Sequence, residues 1–158
     1  MKKRLFVVIM VCCVLVGMLA GCSGSADYQI DTAKLADDIY AGVTWKDQIG
    51  EVNLAKALNL YGISVDDIAS GKVYISTNAT AEEIAVLEVV STDQVSTVET
   101  AVKDRVASQK SSFESYNAEE VPKLENPLIV TKGQYVILVV CDNTSEAKTV
   151  VDNAFSGE

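Results

Sequence analysis

No histidine occurs anywhere in the 158 residues, which removes at once the commonest general base and the commonest metal ligand. Serine activated by an imidazole is excluded with it, so any acid–base chemistry must come from carboxylates, lysine or serine alone. Basic residues are scarce as well: 13 Lys and Arg stand against 22 Asp and Glu, a formal charge of −9. Binding to nucleic acid needs clustered cations that displace counterions. Beyond Lys2, Lys3 and Arg4 the basic residues are scattered singly among acids, so that class is excluded. A polybasic patch holding a domain flat on anionic lipid is missing for the same reason. The chain also lacks a long apolar run. Leu5 to Leu19 is apolar apart from Gly17, but its fifteen residues fall short of the about 20 that a membrane-spanning helix requires.

What that run does match is the layout of a secretory signal, with its charges first and its apolar core second. It ends in Leu19-Ala20-Gly21-Cys22, four residues that resemble the lipobox of bacterial lipoproteins, where cleavage precedes a cysteine whose thiol carries a diacylglyceryl group. The reading divides the chain into a signal peptide at 1–21, a lipidated cysteine and short tether at 22–30, and a single domain at 31–158. Cys22 is the expected lipidation site, with at least two acyl chains, palmitate among them, because one chain alone gives only marginal attachment. Eight tether residues extend at most about 28 Å, which keeps the domain close to the outer face of the cytoplasmic membrane. Removal of the signal takes away three basic residues and no acid, leaving ten against twenty-two and a mature charge of −12.

Of the four cysteines, Cys12 and Cys13 leave with the signal and Cys22 is consumed by acylation. Cys141 then has no partner, so no disulfide forms within the mature chain. A secreted domain of this length does not need one.

Hydrophobic periodicity outlines the rest. Asp31 caps a helix to Ala41 with Gly42 as its stop, Val43 to Glu51 is a short strand or a loop, and a second helix runs from Val52 to Tyr61. Ser64 opens a small third helix closed by Gly71. Strands are expected at Lys72 to Thr77, Glu82 to Val90, Leu128 to Thr131 and Gln134 to Cys141, with a tight turn at Lys132-Gly133. The longest helix runs from Ser91 to about Tyr116, a capped turn from Asn117 precedes Pro122, and Lys123 to Asn126 reads as a connector. The last helix begins at Asn143. The predicted fold is α+β: a four-stranded, largely antiparallel sheet of two hairpin-plus-helix units, with an N-terminal helical segment packed on it. Two strands are apolar on both faces, so the helices between Asp31 and Ser70 must cover the second face or leave an apolar patch exposed.

Leu60-Tyr61-Gly62-Ile63, the stretch Asn78 to Val86, the stretch Glu119 to Asn126 and the strand Gly133 to Val140 together resemble a family of small lipoproteins from Gram-positive, clostridial-type bacteria. That family carries domain of unknown function 4358. The resemblance spans nearly the whole mature chain and implies a single surface lipoprotein domain. It implies no activity and no catalytic residue.

The candidate chemistry is thin. Acid pairs occur at Asp37-Asp38, Asp66-Asp67, Glu82-Glu83 and Glu119-Glu120 and read as solvated helix starts, where acids complement the helix dipole. None is a facing glycosidase pair. Asp142 to Glu146 has the oxygens of a calcium loop without its spacing or glycine, so no metal or other cofactor is expected. Cys141 closes a buried strand as a small core residue. Tyr40, Trp45 and Tyr61 either line the rim of a binding groove or pack at the domain edge. The reading that follows is a non-enzymatic binding or interaction module, held to the membrane through Cys22, whose partner is an envelope protein or a small ligand. The alternative is an enzyme, or enzyme subunit, of cell-envelope metabolism that uses carboxylate, Ser or Lys groups.

Overall fold

A computed structural model of the chain describes residues 28–156. Leu19, Ala20, Gly21 and Cys22, and with them the signal and the lipidation site, lie outside the described residues. Helix α1 spans Thr32–Gly42, with the Asp31 carboxylate accepting from the Lys34 amide. It includes Gly42, the expected stop, and ends where Val43 turns extended; the chain passes so close to the last helix at Gly42 that a Cβ there would lie 2.8 Å from Val150 Cγ2. A four-residue strand β1, Ile49–Val52, and helix α2, Leu54–Tyr61, follow. One 3₁₀ turn at Val65–Asp67 stands where a small helix is expected, and leads into β2, Ile68–Ser76.

Strand β3 is Glu83–Val89, and after a 3₁₀ turn helix α3 covers Val95–Tyr116. The stretch expected as a connector is the short helix α4, Val121–Glu125, entered through a 3₁₀ turn at Ala118–Glu120. Pro122 sits in its first turn, where the missing N–H would have no helical partner anyway. Strands β4, Leu128–Lys132, and β5, Tyr135–Val140, form a hairpin. Gly133 takes its turn at φ 55°, a left-handed conformation that residues with a Cβ adopt at a cost. Helix α5, Thr144–Ser156, ends the described chain.

The sheet has five strands in the order β1-β2-β3-β5-β4, antiparallel throughout. The class is α+β as expected, with one strand more than predicted. That extra strand is β1, in the stretch whose pattern fits either strand or loop. Only Ile49 of its four residues is buried and Gly50 interrupts it, so its alternation is too short to register as period two. The two hairpins, β2–β3 and β4–β5, join along β3 and β5, and both of these inner strands are buried on both faces.

Helices cover the two faces in an unexpected pairing. One face places Ala85, Leu87, Val136 and Leu138 against α2 and α3, while the other places Ile84, Val86, Ile137 and Val139 against α1 and α5. The two later helices thus lie on opposite faces, and each shares its face with one N-terminal helix. The reason is the parity of the inner strands: alternate side chains are apolar in both directions, and one helix pair covers one face only. Among the described residues no broad apolar sheet face is left open. Residues at the end of the expected tether also pack down, since the Tyr28 ring meets Phe155 edge-on with centroids 5.0 Å apart and the Ile30 amide donates to the Tyr135 hydroxyl.

Ile137 and Val139 are fully buried in β5, an inner strand beside the central β3, and truncating either to alanine should cost about 1–4 kcal/mol. Lys132→Ala removes a loose ion pair to Asp152 at 3.9 Å and a contact over the Phe155 ring, for which less than about 1 kcal/mol is expected. Urea titrations showing equal losses at Lys132 and Ile137 would contradict this placement of the core.

Candidate functional site

The polar interior of the domain is built around the start of β3. Glu83 and Glu82 are neighbours in sequence and share no partner, because side chains alternate across a strand. Glu83 is fully buried. It accepts the Tyr61 hydroxyl of α2 and, from α3, Arg105 Nη2 at 3.0 Å and Gln109 Nε2 at 2.8 Å. Glu82 is also buried and accepts the backbone amides of Lys46 and Asp47 at 2.7 and 2.9 Å, the Thr80 hydroxyl, and the Lys123 ammonium at 3.3 Å.

A third buried carboxylate, Glu120, joins this second group. It accepts the Ala81 amide at 3.0 Å and lies 2.9 Å from both Lys46 Nζ and Lys123 Nζ. Lys123 is only 5% exposed and bridges Glu82, Glu120 and the exposed Asp142. Three acids whose sequence context suggests solvated helix starts are therefore interior groups, and this is a correction. Glu82 and Glu83 stand at a strand, not at a helix. Apart from Thr80, two positions before Glu82, their donors come from residues 22 to 41 positions away, a distance at which sequence pattern carries no signal. The other acids behave as expected: Asp38 pairs with Lys34 on the surface of α1, Asp66 and Glu119 are exposed, and half-exposed Asp37 meets Lys72 at 2.7 Å.

Electrostatics follow from these contacts. Burial pushes the Glu120 carboxyl up, but the Ala81 amide and the two ammonium groups outweigh it and hold Glu120 below the usual carboxylate range. Burial likewise pulls Lys123 down, and its hydrogen bond to Glu120 with the charges of Glu82, Glu120 and Asp142 more than restores it. Burial drives the Tyr61 hydroxyl well above its ordinary range, reinforced by the Glu83 charge. It also pushes the Cys141 thiol up to about 11, which leaves that buried cysteine protonated and unreactive.

A pH dependence results. Because the folded pKa of Glu120 is depressed, its contribution to stability is complete above the ordinary glutamate value of about 4.3 and is lost as pH falls through the lower folded value. The denaturation midpoint should therefore drop on acidification below about pH 4.3, and drop less steeply in Glu120→Gln. Parallel acid profiles for the two proteins would refute this assignment.

A cleft opens beside the Glu83 group. One wall is the end of β2 and the turn after it, the other is the C-terminal half of α3, and Asn117 Nδ2 ties the walls together by donating to the Ala79 carbonyl at 3.2 Å. Its volume is about 240 Å³. Ile75, Phe113 and Tyr116 supply apolar surface, and Thr77, Asn78 and Ser112 supply polar groups. Arg105 and Gln109, held by Glu83, also line it. Gln109 Oε1 is buried there without a hydrogen bond, and Tyr116 is 71% exposed.

The aromatic residues singled out in the sequence do not form one site. Tyr40 stacks on Trp45 with centroids 6.5 Å apart and on Tyr74 at 5.1 Å, and Trp45 Nε1 donates to the Tyr40 carbonyl. Tyr61 is buried in the other core, on the opposite side of the sheet. The oxygens of Asp142 to Glu146 are turned to other partners: Asn143 Oδ1 accepts from the Ser145 amide and hydroxyl, Glu146 from the Thr44 amide, and Asp142 pairs with Lys123. Among the described residues no group of three or more acidic or cysteine side chains is arranged to hold a metal ion, and no helix is long and apolar enough to cross a membrane.

No curated protein and no solved structure matches the chain. A family model does, the Domain of unknown function (DUF4358), over residues 46–141. That span holds Lys46, the Glu82–Glu83 pair, both cleft walls, Glu120 and Lys123. It covers more than half of the sequence, and the chain belongs to this family.

Proposed function

We propose that this protein is a lipid-anchored, extracytoplasmic lipoprotein of the cell envelope that acts as a non-enzymatic binding module through the cleft beside α3. One observation carries the reading: all three buried carboxylates are saturated by fixed donors, while the neighbouring cleft has an open aromatic side chain and an unsatisfied amide oxygen. A general acid or base must exchange its proton with a substrate. Carboxylates that already accept three or four hydrogen bonds each serve the fold. Unpaired polar groups beside apolar surface are what a ligand site supplies. The anchoring part rests on Leu19-Ala20-Gly21-Cys22 following an apolar run.

Two measurements test the proposal on the full chain in a Gram-positive host. Labelled palmitate should enter the wild-type protein and be lost in Cys22→Ala; mature protein still acylated after that change would overturn the anchoring. A photo-crosslinking residue placed at Tyr116 should trap a specific envelope component that the same residue at exposed Val90 does not. Identical outcomes at the two positions would overturn the assignment of the cleft.

A further inference from the structure

We propose that the cleft between the Ser76–Thr80 turn and α3 binds a single neutral sugar ring, seated on Tyr116 and Phe113 and hydrogen-bonded to Gln109, Arg105 and Asn78. This rests on the reading of the cleft as a binding site and names the chemistry it selects. Size comes first. At about 240 Å³ the cleft is smaller than the roughly 300–1,000 Å³ that holds a drug-sized ligand, so it takes one ring and not a stretch of polymer in extended contact.

Charge comes second. The two charged residues that line the cleft are already neutralised, Arg105 by Glu83 and Glu82 by Lys123. An anion would have to compete with a buried carboxylate for Arg105, and it would approach a chain of net charge −9. A cation would meet the guanidinium. The cleft therefore favours an uncharged ligand.

The hydrogen-bonding pattern comes third. Arg105 and Gln109 are one helical turn apart and bond the same Glu83 oxygen, Oε2, so both side chains are anchored at one point of the cleft lining. Gln109 Oε1 is an acceptor with no donor. Arg105 uses Nε and Nη2 on Glu83, which leaves Nη1 as a donor. An acceptor and a donor on two side chains held by one carboxylate suit a ligand carrying several hydroxyls, since each hydroxyl can give one hydrogen bond and accept others. Asn78 is exposed and offers an amide to a third group, and the Ser112 hydroxyl, which donates to the Ser108 carbonyl, keeps free lone pairs.

The open aromatic ring decides between a sugar and a simple amide, which could also satisfy Gln109 and Arg105. Tyr116 stands 71% exposed with the buried Phe113 edge-on against it, ring centroids 6.2 Å apart and planes at 67°, and the open tyrosine face is covered only by a ligand that has an apolar face as well as hydroxyls. The C–H face of a pyranose has both.

The test uses the full chain in detergent micelles, with side-chain amide resonances of Gln109 and Asn78 followed by NMR. The titrants are glucose, galactose and N-acetylglucosamine, with glycinamide and glucuronate as the neutral-amide and anionic comparators. At least one neutral sugar should shift both amides saturably with a Kd in the millimolar range. Tyr116→Ala should weaken that binding about fivefold or more with an unchanged thermal midpoint, since the side chain is exposed. The proposal is overturned if none of the three sugars shifts these resonances, if glycinamide or glucuronate binds as tightly, or if Tyr116→Ala binds the sugar unchanged. Binding by glycinamide alone would remove the sugar and leave the cleft as a site. Silence from every titrant, together with no specific adduct at position 116, would remove both.

Discussion

Replacing Lys123 with methionine should destabilise the domain by about 3–5 kcal/mol, the cost of leaving buried charge without its partner. The residue looks unremarkable in sequence, a lysine one position after a proline. In the structure its ammonium is 3.3 Å from Glu82, 2.9 Å from Glu120 and 3.4 Å from Asp142, and its side chain is 3% exposed. Methionine keeps the length and most of the apolar stem, so packing loss is small and the effect isolates the charge. Glu120 would still have Lys46, but that lysine side chain is half exposed and its attraction is screened. The expected result in a urea titration is a large drop in midpoint with an unchanged slope. The paired change Lys123→Met with Glu120→Gln should recover part of the loss, because one uncompensated carboxylate is then removed. A loss of under about 1 kcal/mol, as for a surface ion pair, would show that water reaches this group.

Glu83→Gln should cost a similar amount, about 3–5 kcal/mol, although it preserves volume. The carboxylate accepts from three donors, the Tyr61 hydroxyl, the Arg105 guanidinium and the Gln109 amide. A glutamine offers one oxygen and turns an NH₂ group toward the rest, so at least one donor faces another donor and Arg105 loses its counter-charge. Tyr61→Phe removes only one of the three bonds, and about 1.5–3 kcal/mol is expected for a hydrogen bond to a charged group. The order of these two effects is the informative quantity. If Tyr61→Phe proved the costlier, the network would be organised by the tyrosine and not by the acid. Circular dichroism at neutral pH should keep the native shape in both variants, because the apolar layers on either side of the sheet are untouched.

The two networks also explain the position of the cleft. Glu83 fastens Arg105 and Gln109 of α3 to the start of β3, and Asn117 fastens the end of α3 to the Ala79 carbonyl. Between those ties the helix and the Thr77–Thr80 turn stand apart, with Ile75 and Phe113 lining the cleft between them. On the other side of the turn, Glu82 draws in the Lys46 and Asp47 amides and Asp47 in turn accepts from the Thr77 hydroxyl at 2.6 Å. A turn held at both flanks by buried carboxylates is a preformed wall, so a ligand would find its groups already ordered.

Helices α1, α2, α3 and α5 and four of the strands lie within a few residues of where periodicity places them, because burial of one helical stripe or one strand face repeats along the chain and leaves a local record. The same holds for Ile137 and Val139 as core. The lipobox resemblance and the exclusion of imidazole chemistry are likewise properties of the residues alone. What composition and spacing do not register is any contact between distant segments. Glu82, Glu83 and Glu120 look solvated in sequence because an acid is normally exposed, and only the arrival of Lys46, Tyr61, Arg105, Gln109 and Lys123 from elsewhere in the chain offsets the cost of burying them. Residue type groups Tyr61 with Tyr40 and Trp45, whereas the sheet separates them. The apolar stripe of α3, Val95, Val98, Val102, Val106 and Phe113, is interrupted at Gln109, which is the one local hint, for a polar residue on a helix's core side needs a buried partner. Local periodicity thus determined which segments are helix and strand and which faces are apolar. The pairing of the helices across the sheet, the buried charges and the cleft they frame were decided by tertiary structure, since each depends on free energies of interaction between groups that sequence distance does not constrain.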